Sequence, residues 1–266
     1  MLFGIADVCM FENIKAGRLT KGEFIKRAAE LGAHSVSIYL PMEKDGQKLR
    51  AIADERGVEL EFRTATTDAG KLSDCIRRAH RLGASFLRTM ISGRYNYTDA
   101  EKQVQMLEAA AKGLSAVVPL LNDLGITIGV ENHADVTSPE LIHLIKNVDS
   151  DRVGVLLDFG NSAVVFENPR DTIEMLSPYA VALHVKDIDI GIRDDVFCHL
   201  GVPLGEGIIN FDHAMQQILA NCPNARFTLE GRHPPLPDLE ESLIEEVDML
   251  EKSAVFAKCL LEKYCS

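Results

Sequence analysis

Eight short runs of β-forming residues alternate with amphipathic helical stretches along almost the whole sequence. Strands that alternate with helices in this way form parallel sheets through right-handed crossovers. The predicted strands are residues 2–8, 34–40, 57–63, 85–91, 126–132, 152–158, 181–187 and 226–231. The predicted helices lie near residues 20–32, 44–56, 70–82, 99–124, 138–147, 169–177, 210–220 and 238–262.

The number of strand–helix units favours closure of this sheet into a barrel. Eight units in 266 residues match an α/β protein with a single (β/α)8 TIM barrel, which usually has about 250 residues. An open doubly wound sheet is the alternative, but it normally carries a glycine-rich phosphate turn after its first strand. This chain reads ADVCMFEN there, and no Pro-rich or Ser-rich linker divides it. We therefore predict one TIM-barrel domain over residues 1–266.

The composition argues against several classes of protein. Asp plus Glu outnumber Lys plus Arg by 40 to 28, and the formal net charge of -12 disfavours nucleic-acid binding. No uncharged apolar run approaches the roughly 18 residues of a membrane span, and the opening residues lack a basic leader. The six cysteines have no CxxC spacing, which favours free thiols in a reducing compartment. We expect a cytoplasmic protein that binds neither nucleic acid nor membrane.

Polar side chains that can ligate a metal end the last four predicted strands. Glu131 lies in VENH, Asp158 in VLLDFGN, His184 in LHVKD and Glu230 in TLEG. Each has an ordinary structural explanation when taken alone, such as a turn cap, a core histidine or a rim salt bridge. Four together at the reactive end of a barrel need a common explanation, because buried charges must be paired or ligated. A divalent cation provides one, and this donor set suits Mn2+, Mg2+ or Co2+, with Zn2+ as an alternative.

The series VENH, LLDFGN, LHVKD, PLGEGIINF and TLEG resembles the xylose isomerase-like TIM-barrel superfamily, in particular its sugar phosphate isomerase/epimerase branch. The resemblance implies that Glu131, Asp158, His184 and Glu230 are the metal ligands, and that Glu131 and Glu230 are also the catalytic acid/base pair. Two departures stand out. Asn161 occupies the place of a histidine that many such epimerases use for substrate, and the fourth strand ends without the extra ligands of three-metal apurinic endonucleases.

The predicted activity is isomerisation or epimerisation of a small sugar, ketose or hydroxy-keto acid. A metal chelated by an α-hydroxy ketone would stabilise the enediolate that forms when the neighbouring C–H proton leaves. Glu131 and Glu230 could approach that carbon from different sides, so that one removes the proton and the other returns it. A lyase or dehydratase with the same site and a non-catalytic sugar-binding barrel are the alternatives. Homo-oligomers are common among the proteins that it resembles, but the sequence itself leaves the oligomeric state open.

Residues next to the proposed ligands are predicted to bind substrate. His133 follows Glu131 by two residues and faces the same side if the strand geometry persists. Lys186 has the same relation to His184 and could hold an oxyanion or a phosphate. Pairing of Lys186 with Asp187 is the alternative.

His199 and Asn161 complete the predicted substrate-binding set. His199 lies in the long connection between the seventh predicted strand and the next helix. Because unstructured connections of that length are usually lids or binding loops, we predict a loop in which His199 contacts the substrate. Asn161 is included for its place after Asp158. Arg193, in the same connection, is expected at the surface.

Charged residues also occur in the third and fourth predicted strands. Glu61 and Arg63 alternate with apolar neighbours, and Arg88 lies near the end of strand four. These side chains either line the mouth of the barrel or form an ion pair that closes it. We predict a structural pair between Glu61 and Arg63.

Overall fold

The computed structural model describes residues 1–193 and 195–265, except for the side chain of Arg193. The surface position predicted for Arg193 therefore lies outside the described residues. The described strands are β1 (Phe3–Ala6), β2 (Ser35–Tyr39), β3 (Glu59–Arg63), β4 (Phe86–Thr89), β5 (Thr127–Glu131), β6 (Val153–Asp158), β7 (Ala180–Val185), β8 (Asp187–Arg193), β9 (Val196–Val202) and β10 (Arg226–Leu229).

Helices follow the strands and surround the sheet. They are α1 (Phe11–Lys15), α2 (Lys21–Glu30), α3 (Glu43–Arg56), α4 (Ala69–Arg81), α5 (Ala100–Leu124), α6 (Ser138–Val148), α7 (Pro169–Leu176), α8 (Phe211–Asn221) and α9 (Leu239–Cys265). Short 3-10 helices span Asp7–Met10, Asn161–Val165 and Ser177–Tyr179.

Eight of the described strands close a parallel barrel in the order β1-β10-β7-β6-β5-β4-β3-β2, with β1 paired to β2. The predicted TIM barrel is confirmed. Apolar residues of the strands and of the inner helix faces form the main core cluster, which includes Ile5, Phe62, Leu114 and Phe227. Because all eight strands run in the same direction, their carboxyl ends meet at one rim of the barrel, where TIM-barrel sites lie.

Local sequence signals explain where several helices begin and end. α2 begins with a capping box, in which Glu23 N donates to Thr20 Oγ1 (3.2 Å) and Thr20 N donates to Glu23 Oε2 (2.8 Å). α3 and α5 end at Gly57 and Gly125, whose φ angles of 68° and 67° are left-handed. Glycine adopts that conformation without a Cβ clash, so these two residues end the helices cleanly.

α5 is long and apolar enough to cross a membrane, judged by its length and composition alone. In the structure it packs against α4 and α6 in the outer ring of the barrel. Its residues Leu114, Val117 and Leu121 are buried in the main core cluster. The helix thus has the position of an ordinary TIM-barrel helix.

The register between β6 and β7 places two polar residues opposite each other at the rim. Val155 pairs with Ala180 but Leu156 pairs with Ala182, so Val181 is an extra residue in β7. An ideal Cβ at Gly154 would lie 2.5 Å from Val181 Cγ1, so a glycine makes room for this extra residue. Further along, Asp158 pairs with His184 and, in the neighbouring pair, His184 with Thr228.

The long connection after β7 is a β-hairpin, so the prediction of an unstructured loop was wrong. β8 and β9 pair antiparallel from Asp187 with Val202 to Arg193 with Val196. Alternating apolar residues on both sides of a turn are a hairpin signal, and IDIGIR and VFCHLGV carry that alternation. The turn residue Asp195 has a φ of 60°, a left-handed value that aspartate tolerates better than most residues.

Candidate metal centre

Four buried polar side chains meet at the carboxyl ends of neighbouring strands. Glu131 and Asp158 are the last residues of β5 and β6, His184 lies next to the end of β7, and Glu230 directly follows β10. Each side chain offers one ligand atom, and these atoms all lie within 4.8 Å of one another. The structure therefore brings together the four polar residues that end these strands in the sequence.

The carboxylate of Asp158 is oriented by the turn that follows it. Its Oδ1 accepts hydrogen bonds from the amides of Gly160 (2.9 Å) and Asn161 (2.8 Å). Asn132 fixes the backbone of the same residue, because its Oδ1 accepts from Asp158 N (2.7 Å) and its Nδ2 donates to Asp158 O (2.9 Å). These bonds leave Asp158 Oδ2 to face the other members of the cluster.

Both carboxylate oxygens of Glu131 accept hydrogen bonds. Arg88 Nε donates to Oε2, and Asn161 Nδ2 donates to Oε1 at 2.9 Å. Burial alone would raise the pKa of Glu131, but the positive charges of Arg88 and His184 outweigh burial and lower it below its usual value. Glu131 is therefore charged at neutral pH.

Glu230 is surrounded by basic groups. Arg63 Nη1 donates to its Oε1 at 3.3 Å, and its Oε2 lies 3.2 Å from both Lys186 Nζ and His184 Nδ1. Arg63 also donates to Asp7 Oδ1, which fixes the guanidinium between two carboxylates. Burial raises the pKa of Glu230, but the charges of His184 and Lys186 outweigh it and hold the pKa well below the usual value.

The ammonium of Lys186 lies among the carboxylates of the cluster. Its Nζ is 2.9 Å from Asp158 Oδ2 and donates to Asn161 Oδ1 at 3.2 Å. Burial disfavours its charged form, but the charges of Asp158 and Glu230 raise the pKa of Lys186 above its usual value. It stays protonated and offsets one of the three negative charges.

Crowded negative charge also shifts the titration of Asp158 and His184. Burial, together with the charges of Glu131 and Glu230, raises the pKa of Asp158 to about 6 although Lys186 opposes the shift. Burial would lower the pKa of His184, but Glu230 and Glu131 outweigh it and raise that pKa to about 9. Both shifts are typical of carboxylates confined in a small buried volume, which an added cation would relieve.

Two ligand atoms within the described residues lack a hydrogen bond. His184 Nδ1 and Asp158 Oδ2 are buried, and neither makes a hydrogen bond of acceptable geometry despite the charged groups close to them. Buried polar atoms rarely remain without a partner. A cation at the centre of the four side chains would satisfy both atoms, and three carboxylates with one imidazole are donors that divalent cations accept. The cluster could therefore bind a divalent metal ion.

Comparisons with known proteins give the chain a family. Residues 25–253 match the family described as "Xylose isomerase-like TIM barrel". The chain belongs to this family. The matched stretch runs from within α2 to within α9 and contains the whole cluster of four. The family expected from the sequence motifs is thus confirmed.

The proteins that the chain is similar to include a decarboxylase and an epimerase. The 3-oxo-isoapionate decarboxylase of Pectobacterium atrosepticum is 26% identical over 198 residues, which are 74% of this chain and 70% of that protein. The D-psicose 3-epimerase of Clostridium cellulolyticum H10, solved with D-tagatose, has a TM-score of 0.76 at 16% identity, with 99% of each chain covered. The IOLI protein, solved with a zinc atom, has a TM-score of 0.75 at 12% identity, with 99% of each chain covered. These two structures share the fold.

Two of the predicted substrate-binding residues lie within hydrogen-bond distance of the cluster. Asn161 bridges it, because its Nδ2 donates to Glu131 and its Oδ1 accepts from Lys186. The alternative pairing of Lys186 with Asp187 is not what the structure has. Asp187 instead accepts hydrogen bonds from the backbone amides of Ile188, Gly205, Gly207 and Ile209.

Neither histidine of the predicted set makes a hydrogen bond to the cluster within the described part of the chain. His199 is in β9, and its Nε2 lies 3.1 Å from the carbonyl oxygen of Gly160, so the hairpin rests on the loop after β6. His133 lies beyond the end of β5. The assumption that strand geometry persists through His133 was therefore wrong. Its ring Nδ1 is buried without a hydrogen-bond partner among the described residues.

The prediction of a structural ion pair between Glu61 and Arg63 was also wrong. Arg63 contacts Asp7 and Glu230, and Glu61 accepts from Arg226 Nη1 at 2.7 Å at the opposite end of the barrel. Residues two apart on a strand point to the same face, but each of these finds its partner on another strand. The ion-pair partner of each side chain depends on the strand register and on whether the residue lies nearer the amino or the carboxyl end of the barrel.

Sequence reasoning missed Asp7 and Asn132 as parts of the site. Asp7 directly follows β1 and holds Arg63, whereas Asn132 follows β5 and orients Asp158. Asp7 satisfies the criterion that selected the four cluster residues, since it is a polar residue at the end of an apolar strand. Applying that criterion to every strand would have found it.

Proposed function

We propose that this protein is a divalent-metal-dependent isomerase or epimerase of a small sugar, ketose or hydroxy-keto acid. The observation that carries the proposal is the buried cluster of three carboxylates and one imidazole at the carboxyl rim of the barrel. Glu131, Asp158, His184 and Glu230 would hold the ion, with Mn2+, Mg2+ or Co2+ preferred and Zn2+ as the alternative. The names of the epimerase neighbours support the same reaction class.

The chain's own residues would move the proton. A bound divalent ion would polarise the substrate carbonyl and so stabilise an enediolate. Glu131 and Glu230 end strands that are separated by two others in the barrel, so they can face one carbon from different sides. One carboxylate accepts the C–H proton and, for isomerisation, returns it to the adjacent carbon. For epimerisation the other glutamate, after taking a proton from solvent, delivers it to the opposite face.

The basic residues next to each glutamate would set its strength as a base. Arg88 holds Glu131, and Arg63 holds Glu230. These contacts keep both glutamates ionised, but a carboxylate of low pKa is a weak base. Proton removal therefore depends on strong acidification of the substrate C–H bond by the polarised carbonyl.

A second candidate is a metal-dependent lyase, such as a decarboxylase or a dehydratase. The decarboxylase relative and the low pKa of both glutamates favour it. In a decarboxylation, the electron pair of the C–C bond forms the enediolate as carbon dioxide leaves, so no base has to remove a proton from carbon. A proton is then added to the carbon, and Lys186 is the nearby acid.

The remaining features of the proposal concern the whole chain. We propose that residues 1–266 form one domain that acts on a small molecule, either alone or as a homo-oligomer. A cytoplasmic location is supported by the cysteines, because all six are free. Free thiols persist in reducing compartments.

Metal analysis and isotope exchange test this proposal. Purified protein should contain a stoichiometric divalent ion, and incubation with a panel of ketoses in deuterium oxide should introduce deuterium next to the carbonyl. Deuterium with an intact carbon skeleton supports isomerase or epimerase, whereas loss of carbon dioxide or water supports lyase. Glu131→Gln should abolish the exchange, and His143→Gln, on the exposed side of α6, is the matched control. Protein that binds no ion would overturn both candidates.

A further inference from the structure

A pocket adjoins the cluster of four at the same rim of the barrel. Its volume is about 470 Å³, and it lies at the ends of β1 to β4. Its charged lining among the described residues consists of one carboxylate and four basic side chains, which are Asp7, Lys15, Lys21, Arg63 and Arg88. Apolar side chains from the segment between β1 and α2 form much of the remaining wall.

The pocket and the cluster share two arginines. Arg63 Nη1 donates to Glu230, and Arg88 Nε donates to Glu131, so each guanidinium lies between the two spaces. Arg63 and Arg88 are paired in register on adjacent strands, which places their Cα atoms about 5 Å apart. A small molecule held at the cluster would therefore extend beside both side chains.

The charges around the site favour an anionic substrate. Four carboxylates, those of Asp7, Glu131, Asp158 and Glu230, face four basic side chains, those of Lys21, Arg63, Arg88 and Lys186. These eight charges cancel and a metal-ligating histidine is neutral, so the divalent ion of the proposed function would leave two positive charges. A partly buried site with excess positive charge attracts an anion and discriminates against a neutral molecule.

Lys21 supplies the donor of the pocket that such an anion would reach. Arg63 Nε is buried and has no hydrogen-bond partner among the described residues. Lys21 Nζ lies 3.8 Å from Asp7 Oδ2, which is an ion pair without a hydrogen bond. Because Arg63 Nε has almost no exposed surface, Lys21 Nζ is the donor that an anion in the pocket would contact.

We propose that this pocket holds a carboxylate group of the substrate, which makes the substrate a hydroxy-keto acid rather than a neutral ketose. The inference rests on the proposed function, because it requires the same molecule to reach the cluster. One accessible ammonium, that of Lys21, matches the single charge of a carboxylate, whereas a phosphate group presents three terminal oxygens and a larger charge. Lys21 is the residue that would select the acid.

Equilibrium binding of three matched ligands tests the inference. D-fructose, D-fructuronate and D-fructose 6-phosphate share one ketose end and differ in the group at the sixth carbon. Calorimetric titration of the metal-loaded protein should give an affinity for D-fructuronate that is about tenfold or more above that for D-fructose. The same titration of the metal-free protein should give a smaller preference, because the two charges of the ion are absent. Equal binding of the acid and the neutral ketose, or no measurable binding of the acid, would overturn it. Tighter binding of the phosphate ester would replace the carboxylate by a phosphate.

Two lysine variants locate the effect. Lys21→Gln should reduce the preference for D-fructuronate by about threefold to tenfold. Lys48→Gln is the matched control, because the Lys48 side chain is 69% exposed, pairs with Asp45 on α3 and is not part of the pocket lining. An unchanged preference in Lys21→Gln, or an equal loss in both variants, would contradict the assignment.

The proposal and the function on which it rests fail in different ways. If the carboxylate pocket is correct but the function is not, D-fructuronate binds with the Lys21-dependent preference while no metal-dependent deuterium exchange occurs. If the function is correct but the pocket is not, exchange occurs and neutral ketoses bind as well as the acid.

Discussion

Both ends of the barrel bury charged side chains, but the two ends differ in how fully these side chains are hydrogen-bonded. At the amino end, Arg226 Nη1 donates to Glu61 (2.7 Å) and Glu59 (3.0 Å), and its Nη2 donates to Ser85 Oγ (2.8 Å). The guanidinium also lies over the ring of Phe86, 5.3 Å from its centroid. This network satisfies its charges with partners inside the protein.

At the carboxyl end, some buried polar atoms have no hydrogen-bond partner. His184 Nδ1 and Asp158 Oδ2 are buried without a hydrogen bond, and repulsion between carboxylates contributes to the raised pKa of Asp158. A satisfied buried network adds to stability and specificity, whereas an unsatisfied one costs free energy that a bound cation would recover. The difference indicates that charges at the amino end hold the barrel together and that charges at the carboxyl end bind something.

The largest expected effect is on catalysis at the carboxyl end. Glu230→Gln keeps the shape of the side chain but removes its charge, so we expect turnover to fall by about 10²- to 10⁴-fold. Deuterium exchange into an active substrate measures this. Glu59→Gln at the amino end is the matched control, since the Glu59 side chain is 57% exposed. Full turnover in Glu230→Gln would remove this residue from the acid/base pair.

The next effect is on stability at the amino end. Arg226→Met leaves the carboxylate of Glu61, which is 5% exposed, without its partner, and we expect the free energy of unfolding to fall by about 3–5 kcal/mol. Urea denaturation measures the loss. A double variant with Glu61→Met should recover most of it, because no unpaired charge remains. A loss that persists in the double variant would show that packing against Phe86 matters more than the ion pair.

A divalent ion should stabilise the protein through the carboxyl end alone. At a Mn2+ concentration 100 times its dissociation constant, the gain is about 2.7 kcal/mol. Thermal unfolding of metal-free protein, with and without Mn2+, measures it as a rise in Tm. Asp158→Asn should lose the rise and Arg226→Met should keep it. An equal rise in all three proteins would mean that the ion binds elsewhere.

The smallest effect concerns Asp187, a satisfied carboxylate at the functional end. Its oxygens accept four backbone amides at the base of the β8–β9 hairpin. Asp187→Asn weakens these bonds, and we expect a stability loss of about 1 kcal/mol. Hydrogen exchange should accelerate in the segment from β8 to residue 209 while metal content stays unchanged. Lost metal content would instead give Asp187 a part in the cluster.

The sequence predicted the barrel well because its strands and helices are locally encoded. LGAHS, DERGVEL and NDLGITI each place a glycine where a helix ends and a strand begins, and the alternation of β-forming and amphipathic runs defined the eight units. The hairpin was missed because its turn lacks the Asn-Gly or Asp-Gly pair that marks tight hairpins. Its alternating apolar residues were present in the sequence all the same.

The sequence was enough to choose the four residues of the cluster but not to predict which basic side chains contact them. A polar residue at the end of an apolar strand is visible in one dimension, so Glu131, Asp158, His184 and Glu230 could be chosen without a structure. Their basic partners could not, because Arg63 and Arg88 reach residues on other strands. Such contacts depend on the closure of the barrel and on register, which short sequence patterns do not encode.

The extra residue in β7, which lies far from the rim, determines which β7 side chain stands beside Asp158. With regular pairing from Ala180 onward, Leu183 would stand opposite Asp158, and His184 would turn toward the helices because side chains alternate along a strand. Gly154, near the floor of the barrel, makes room for this irregularity. A heritable change at Gly154 would thus remove His184 from the cluster while leaving the eight-stranded barrel intact, and a barrel that has lost its metal centre need not carry a substitution among the four ligands.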